Sequence, residues 1–340
     1  MLNSTMKQKN SVIRQILTIL ILMLLVIVAM AILSPDTYFT PKNAKSMIFQ
    51  FPEFGILSFG MMLCMIGGGI DISLVGIMNL SGMTAALVML ALIPNESTAS
   101  DGKLAFALLA ACACAIAVGA LCGIFNGLII GYFKIPAMLV TLCSLQLFNG
   151  LVYAVTGGTA VTGMCASFKE IANGTIPGTW IPWVLPIFVV VTAAVALILH
   201  QSKLGKEIFY LGSNRVVSEY SGLSTLKISV LTHMISGILG GVSGILITSH
   251  MNAAKSSNGT SYTLLSILIV VLGGVHPNGG RGNIIGVTLS VILMQMVTNA
   301  FTLLRISQDV KNFANGVLLI LTLVLVIFLQ KADEKKRTNM

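Results

Sequence analysis

A polytopic bundle of about ten membrane-spanning α-helices is the fold class that this sequence predicts. Three observations carry that expectation. Hydrophobic residues make up 56% of the chain and charged residues only 9%, against about 25% charged in an ordinary soluble domain. The apolar residues gather in continuous segments of about 20, the length that crosses a hydrocarbon core of about 30 Å. They do not alternate with polar residues, which argues against a β-barrel, the other structure able to satisfy its backbone in lipid.

The expected spans are, in order, 13–33, 47–66, 77–94, 104–130, 136–155, 182–200, 228–249, 262–275, 283–303 and 312–330. The first follows Lys7, Lys9 and Arg14 in the manner of a signal peptide. Its apolar run is too long for one and stops at Ser34-Pro35-Asp36, so it reads as a retained helix. The chain, 1–340, reads as one transmembrane domain with halves at 13–155 and 182–330 and a long polar connection at 202–227.

The second span ends at Gly67-Gly68-Gly69-Ile70-Asp71-Ile72-Ser73, and the eighth at Gly273-Gly274-Val275-His276-Pro277-Asn278-Gly279-Gly280-Arg281-Gly282. Gly68, Gly69, Gly273, Gly274, Gly280 and Gly282 are therefore expected to break helices near membrane depth. Irregular backbone is tolerated there only inside protein or along a wet cavity. Paired interruptions in two halves are the trace of a duplicated transporter, and the Gly-Gly-Ile-Asp and Gly-Gly-Val-His steps point to an internal inverted repeat. In the fourth span Gly119, Gly123, Gly127 and Gly131 form a stripe of small residues, and Gly237, Gly240, Gly241 and Gly244 do so in the seventh. Such stripes let a second helix backbone come close.

A formal net charge of +9 invites a nucleic-acid partner until the basic residues are placed on the spans. With the N-terminus inside, thirteen of them fall on the inner side: Lys7, Lys9, Arg14, Lys134, Lys203, Lys206, Arg215, Lys227, Arg281, Lys331, Lys335, Lys336 and Arg337. The outer side receives Lys42, Lys45, Lys103, Lys169, Lys255, Arg305 and Lys311. The asymmetry predicts a multi-pass protein of the cytoplasmic membrane with both termini in the cytoplasm, lipid around it and no nucleic acid. The cysteines, Cys64, Cys112, Cys114, Cys122, Cys143 and Cys165, lack metal-site spacing, so neither a zinc site nor a disulfide is expected.

Polar residues inside spans are costly and are functional candidates. Here most are amides: Asn79, Asn126, Gln146, Asn149, Gln295 and Asn299. Amides and hydroxyls both donate and accept, which suits a neutral polyhydroxylated solute; the same amides can equally join helix to helix. Asp71, with Ser73 two residues on, can sit at a membrane interface, cap a helix start or face the pathway. The candidate pathway residues are thus Asp71, Ser73, Asn126, Gln146, Asn149, Gln295 and Asn299. The spans show no group of buried acids or histidines of the kind an ion-driven carrier needs, His233 standing alone. A Walker A loop is also missing, since Leu204-Gly205-Lys206-Glu207 lacks the upstream glycine and the following Ser or Thr.

Within 202–227, Asn214 is a good N-cap and Gly222 a good C′ residue, which predicts a short amphipathic helix over 215–221. Lying across a membrane face, it would fit a partner's groove or rest on lipid headgroups.

These residues resemble a known family. Leu204-Gly205-Lys206 followed by Ile208-Phe209-Tyr210-Leu211-Gly212-Ser213-Asn214, then Ser221-Gly222-Leu223, Gly241-Val242-Ser243-Gly244, Leu272-Gly273-Gly274 and Gly279-Gly280-Arg281-Gly282 are similar to the permease subunit of bacterial ATP-binding-cassette importers for ribose and related simple sugars. Gly68-Gly69-Ile70-Asp71-Ile72-Ser73 and Lys134-Ile135-Pro136-Ala137 with Val140-Thr141-Leu142 extend the resemblance, which covers about 50 to 310. It implies a permease dimer, of a second copy or a paralogue, with two cytoplasmic ATPase subunits and an extracytoplasmic solute-binding protein. ATP and Mg would be bound by the ATPase partners, with no cofactor in this chain. The coupling residues would be Gly205, Asn214, Arg215, Glu219, Tyr220, Ser221 and Gly222. The chain departs from the family at Val217, Ser218 and Glu219, where members usually carry two alanines and a basic residue, and at Leu74-Val75-Gly76. Together with Ile77-Met78, the latter is similar to the nucleoside-transporting branch, so the solute stays open among pentoses, hexoses, a sugar-like signal and nucleosides.

Two other classes compete. Gly241-Val242-Ser243-Gly244 matches the Gly-x-Ser-Gly pattern of intramembrane serine proteases, with His250 or His276 as a base. A partner-free facilitator would explain the amides but leave 202–227 without a purpose.

Overall fold

Lipid offers the backbone no hydrogen-bond partner, so continuous apolar sequence must bond to itself, and helices dominate this chain. The computed structural model describes residues 2–94 and 100–338, with side chains from 13 to 324. The first half comprises α1 (Leu2–Leu33), α2 (Pro35–Tyr38), α3 (Pro41–Ile66), α4 (Leu74–Leu92), α5 (Asp101–Tyr132) and α6 (Ala137–Thr156). Then follow β1 (Val161–Thr162), α7 (Ala166–Asn173), α8 (Val184–Gln201), α9 (Lys203–Ser213) and α10 (Arg215–Tyr220). The second half adds α11 (Thr225–Met251), β2 (Ala253–Ala254), α12 (Tyr262–Leu272), α13 (Ile284–Leu303) and α14 (Gln308–Thr338).

Among the described residues, eight helices are long and apolar enough to cross a membrane, the first of them from Ile13 to Leu33. The expectation of ten differs at two places. The eighth expected span is the 11-residue α12, about 16 Å long and so too short to cross alone. The tenth falls in α14, whose side chains beyond 324 lie outside the described residues, as do those of Lys7, Lys9, Lys331, Lys335, Lys336 and Arg337.

The central element is α11. Its glycine stripe meets that of α5, with Gly119 against Gly237 and Gly123 against the His233 carbonyl, in the most extensive contact among the described helices. A side chain at either glycine would run into the facing main chain, so the small residues are what permit this approach. A second face of α11 receives α4, where Gly244 meets the Met78 carbonyl and the Gly82 amide. A third face packs antiparallel to α3, and the stretch of α3 from Pro52 to Ile66 is wholly buried. Apolar side chains of α1, α6 and α8 stay exposed, Leu24, Leu139 and Val190 among them.

The two glycine breaks share one geometry. Gly69 N–H donates to the Cys64 carbonyl at 3.0 Å and Gly68 N–H to that of Met65 at 3.0 Å. Val275 N–H to Val270 at 3.1 Å and Gly274 N–H to Val271 at 3.0 Å repeat the pattern. Gly68 and Gly274 each take φ of +88°, the left-handed turn that closes a Schellman motif and that a Cβ resists. The match aligns Gly67 with Gly273, one residue away from the register in which the sequences look alike, so Asp71 corresponds to Pro277 and not to His276. Gly280 N–H donates to the Ile66 carbonyl at 2.8 Å, so the breaks adjoin and α3 and α12 run toward the same end. The inverted repeat expected from these clusters is therefore not what this pair displays: their relation is parallel. The helix that opposes α3 is α11, of 27 residues against 26, and it ends in its own turn at Asn252, φ +49°.

Gln15 of α1 donates to the Leu272 carbonyl at 3.1 Å, which places the beginning of the apolar stretch of α1, from Ile13, beside these breaks. That end of the bundle also carries α9 and α10. At the far end β1 and β2 pair antiparallel, Val161 opposite Ala254.

Candidate functional site

The loop from Gly69 to Ser73 carries a buried hydrogen-bond chain that crosses four helices. Asp71 and Ser73 are fully buried. Oδ1 of Asp71 accepts Ser73 Oγ–H at 2.5 Å and Ser73 N–H at 3.1 Å. Asn126 Nδ2 of α5 donates to Ser73 Oγ at 2.7 Å, and Ser144 Oγ of α6 donates to Asn126 Oδ1 at 2.6 Å. From α11, Ser236 Oγ donates to Asp71 Oδ2 at 3.3 Å, and the Cys64 thiol at the end of α3 lies 3.8 Å from the same oxygen. Asp71 thus braces the start of α4 through Ser73, two residues ahead of it, instead of bonding to the first-turn amides as an N-cap would. Thr141 of α6 completes the loop's anchorage, donating to the Ile70 carbonyl at 3.0 Å and accepting Ile72 N–H at 3.2 Å.

Beside this chain lies a cavity of about 370 Å³, lined by Cys64, Gly69, Pro136, Arg215, Thr232 and His233 among others. It connects the buried loop with the α9–α10 segment. Ser202 caps α9 by accepting Gly205 N–H at 3.0 Å, and Asn214 caps α10 by accepting Val217 N–H at 3.0 Å. Gly222, at φ +80°, closes α10: its N–H donates to the Glu219 carbonyl at 3.1 Å, and Leu223 N–H donates to that of Ser218 at 3.1 Å. Ser221 is the C-cap, its Oγ donating to Val217. The helix expected over 215–221 is thus observed as Arg215–Tyr220 between the two expected caps. Glu219 pairs with Lys134 at 2.9 Å, joining α10 to the α5–α6 turn, and Arg215 reaches the Ile130 carbonyl at 3.5 Å. Val216, Val217 and Tyr220 point outward, Tyr220 being 90% exposed. Gly205 faces inward, pressed on the carbonyls of Ile198 and Leu199. The segment 203–213, expected as part of a polar connection, folds as α9; Ser202 as N-cap and the spacing of Ile208 and Leu211 are the signals for it.

Of the other candidate pathway residues, none joins this chain. Asn149 accepts from Asn79 Nδ2 at 3.2 Å, and Asn79 also donates to the Ser256 carbonyl at 2.8 Å. Asn299 and Asn43 exchange two bonds, at 2.8 and 3.0 Å, and Gln295 donates to Gln50 at 3.2 Å; both pairs link α13 to α3. Gln146 is exposed on α6. Gly282 packs on the side chain of Ile66, while Gly280, at φ +73°, sits against Ser213 of α9.

The spans do hold a buried acid joined to a histidine, contrary to the sequence reading. Glu53 of α3, buried at the far end, accepts from His250 Nδ1 in a short contact and from Tyr262 O–H at 3.0 Å. It follows Pro52 and lies inside an apolar run, which was the available signal. Ser243 Oγ donates to the Glu53 main-chain carbonyl at 2.7 Å. His250 is held by the Glu53 carboxylate, and His276 Nδ1 accepts Asn278 N–H at 3.1 Å in the adjoining breaks. Among the described residues the Ser243 hydroxyl is spent on a main-chain oxygen and neither candidate histidine bonds to it, so the protease arrangement is not assembled.

The profile of the family described as branched-chain amino acid transport system / permease component matches residues 43–323. The ribose import permease protein RbsC of Escherichia coli is 29% identical over 310 residues, covering 90% of this chain and 91% of its own. The autoinducer 2 import system permease protein LsrD of Yersinia pestis is 29% identical over 287 residues, covering 82% of each. A bundle of membrane-crossing helices, an exposed capped helix at one end and a family match over most of the length converge: the chain belongs to the family of branched-chain amino acid transport system permease components.

Proposed function

We propose that this chain is the membrane-spanning permease subunit of an ATP-binding-cassette importer of a simple sugar, ribose-like or hexose, in the cytoplasmic membrane. The α10 end faces the cytoplasm in this reading, as do both termini. Separate ATPase subunits bind ATP and Mg there, a solute-binding protein delivers from the opposite face, and a second permease copy or paralogue completes the pathway. The names of the two relatives, one a ribose and one an autoinducer 2 importer, support this solute class. The observation that carries the reading is α10 itself. It is capped at both ends, linked to the α5–α6 turn by the exposed Lys134–Glu219 pair, and presents Val216, Val217 and Tyr220 outward beside a cavity.

Such a handle transmits a push without bending. Closure of the ATPase pair would move α10, α10 would move α5 and α6 through Lys134, and the cavity would change the side it faces. The test is affinity purification from membranes in mild detergent, with ATPase activity and labelled ribose uptake measured for the wild type, Gly222→Pro and a deletion of 214–222. We expect a Walker-type ATPase to co-purify and both variants to insert but lose ATP-linked uptake. A chain that purifies alone, or variants that transport normally, would overturn the assignment.

A further inference from the structure

We propose that Cys64, Asp71 and His233 form a binding site for a borderline-soft divalent cation of the zinc class. One donor atom from each lies within 4.8 Å of the others, and all three residues are buried. They come from three elements: the last turn of α3, the glycine break and the third turn of α11.

The imidazole is already set for the task. His233 Nδ1 lies 2.9 Å from the Ser229 carbonyl, a contact in which the nitrogen must carry the proton. In the neutral ring Nε2 then carries the lone pair, and this buried atom has no hydrogen-bond partner. A ring fixed by a backbone carbonyl through one nitrogen and unoccupied at the other is the arrangement that metal-binding histidines adopt.

Charge points the same way. Asp71 is fully buried, and among the described residues no cation pairs with it. A carboxylate and a thiolate carry two negative charges, which one divalent cation cancels, leaving a neutral buried site. Binding converts the Cys64 thiol to thiolate and releases one proton to water. A thiolate–imidazole–carboxylate set selects zinc-like ions over Mg²⁺ or Ca²⁺, which require oxygen ligands.

Bonds of about 2.0–2.3 Å bring tetrahedral ligands to about 3.5 Å from one another; Cys64 Sγ is already 3.8 Å from Asp71 Oδ2, and no pair of the three donors is more than 4.8 Å apart. The cavity lined by Cys64 and His233 provides an entry path and room for a water as fourth ligand. Once occupied, the site would tie α3 to α11.

The test uses the purified full-length protein in detergent, stripped with chelator and titrated with Co²⁺ and then Zn²⁺. One equivalent of Co²⁺ should give the intense visible bands of a tetrahedral centre together with thiolate-to-cobalt charge transfer, and Zn²⁺ should displace it. The charge-transfer band should vanish in Cys64→Ser, and affinity should fall at least tenfold in His233→Gln, while Cys143→Ser behaves as wild type. Gel-filtration profile and thermal midpoint without metal establish that each variant is folded. Wild-type protein with no charge-transfer band, or binding unchanged in folded Cys64→Ser and His233→Gln, overturns the proposal. The wild-type spectrum decides even if a variant fails to fold.

Discussion

The antiparallel helices α3 and α11 are joined by polar groups at both ends, in opposite ways. At the far end a single carboxylate, Glu53, has both oxygens engaged, one by His250 and one by Tyr262, while its main-chain carbonyl takes Ser243. At the α10 end Asp71 spreads its bonds over Ser73, Ser236 and a distant thiol, and beside it His233 Nε2 is unpaired next to a cavity. The far end is a closed joint: every strong acceptor of Glu53 is spent on another helix. The α10 end is open, with polar capacity left over and space to use it. In one helix pair, then, a buried carboxylate is saturated at one end and an unpaired imidazole nitrogen adjoins a cavity at the other.

Breaking the closed joint should have the largest effect. Glu53→Ala leaves the His250 ring and the Tyr262 hydroxyl without their shared acceptor inside the bundle. The expected loss is about 3 kcal/mol of stability, read as a lower unfolding midpoint in detergent micelles. Glu53→Gln, which keeps an acceptor for one of the two, should recover part of it. If Glu53→Ala unfolds as the wild type does, the far end does not hold α3, α11 and α12 together.

The open end should yield less to a comparable deletion. Asn126→Ala removes the link between Ser73 and Ser144, but Ser73 keeps its bond to Asp71. A cost of about 1–2 kcal/mol is expected, with the oligomeric profile unchanged. A loss as large as that of Glu53→Ala would make the two ends equivalent and dissolve the contrast.

How much of this could be read from the sequence follows the same division. Helix interiors, the two glycine stripes and the caps Asn214 and Gly222 are set by local rules, and they appear where composition and spacing put them. The glycine breaks were also legible, although their register was not, because only the backbone bonds distinguish Gly67 from Gly68 as the C-cap. The tertiary joints escaped. In sequence Glu53 is one acid in an apolar run, since His250 and Tyr262 lie far along the chain and reach it only when α11 and α12 pack on α3. Asn126 and Asp71 belong together for the same long-range reason, while Asn299 and Gln295, equally polar in sequence, serve the α3–α13 contact instead. Cys64 and His233 show no metal spacing because their proximity is made by the crossing of α3 and α11, which spacing along one segment does not encode.

The smallest effects give the sharpest comparison, because two serines mark the two ends on one helix. Ser243 donates to the Glu53 carbonyl at 2.7 Å and Ser236 to the Asp71 carboxylate at 3.3 Å, and both are fully buried. Two turns of α11 separate them, so backbone propensity and helix environment nearly cancel. Ser243→Ala should cost about 1 kcal/mol and Ser236→Ala about 0.5 kcal/mol, the shorter bond counting for more and Asp71 retaining its other donors. Uptake should persist in Ser243→Ala, since its hydroxyl bonds to a main-chain oxygen and, among the described residues, neither His250 nor His276 bonds to it. Equal costs, or the reverse order, would mean that the Asp71 end is as tightly closed as the Glu53 end; loss of all activity in a folded Ser243→Ala would restore the enzyme reading that the geometry around this serine argues against.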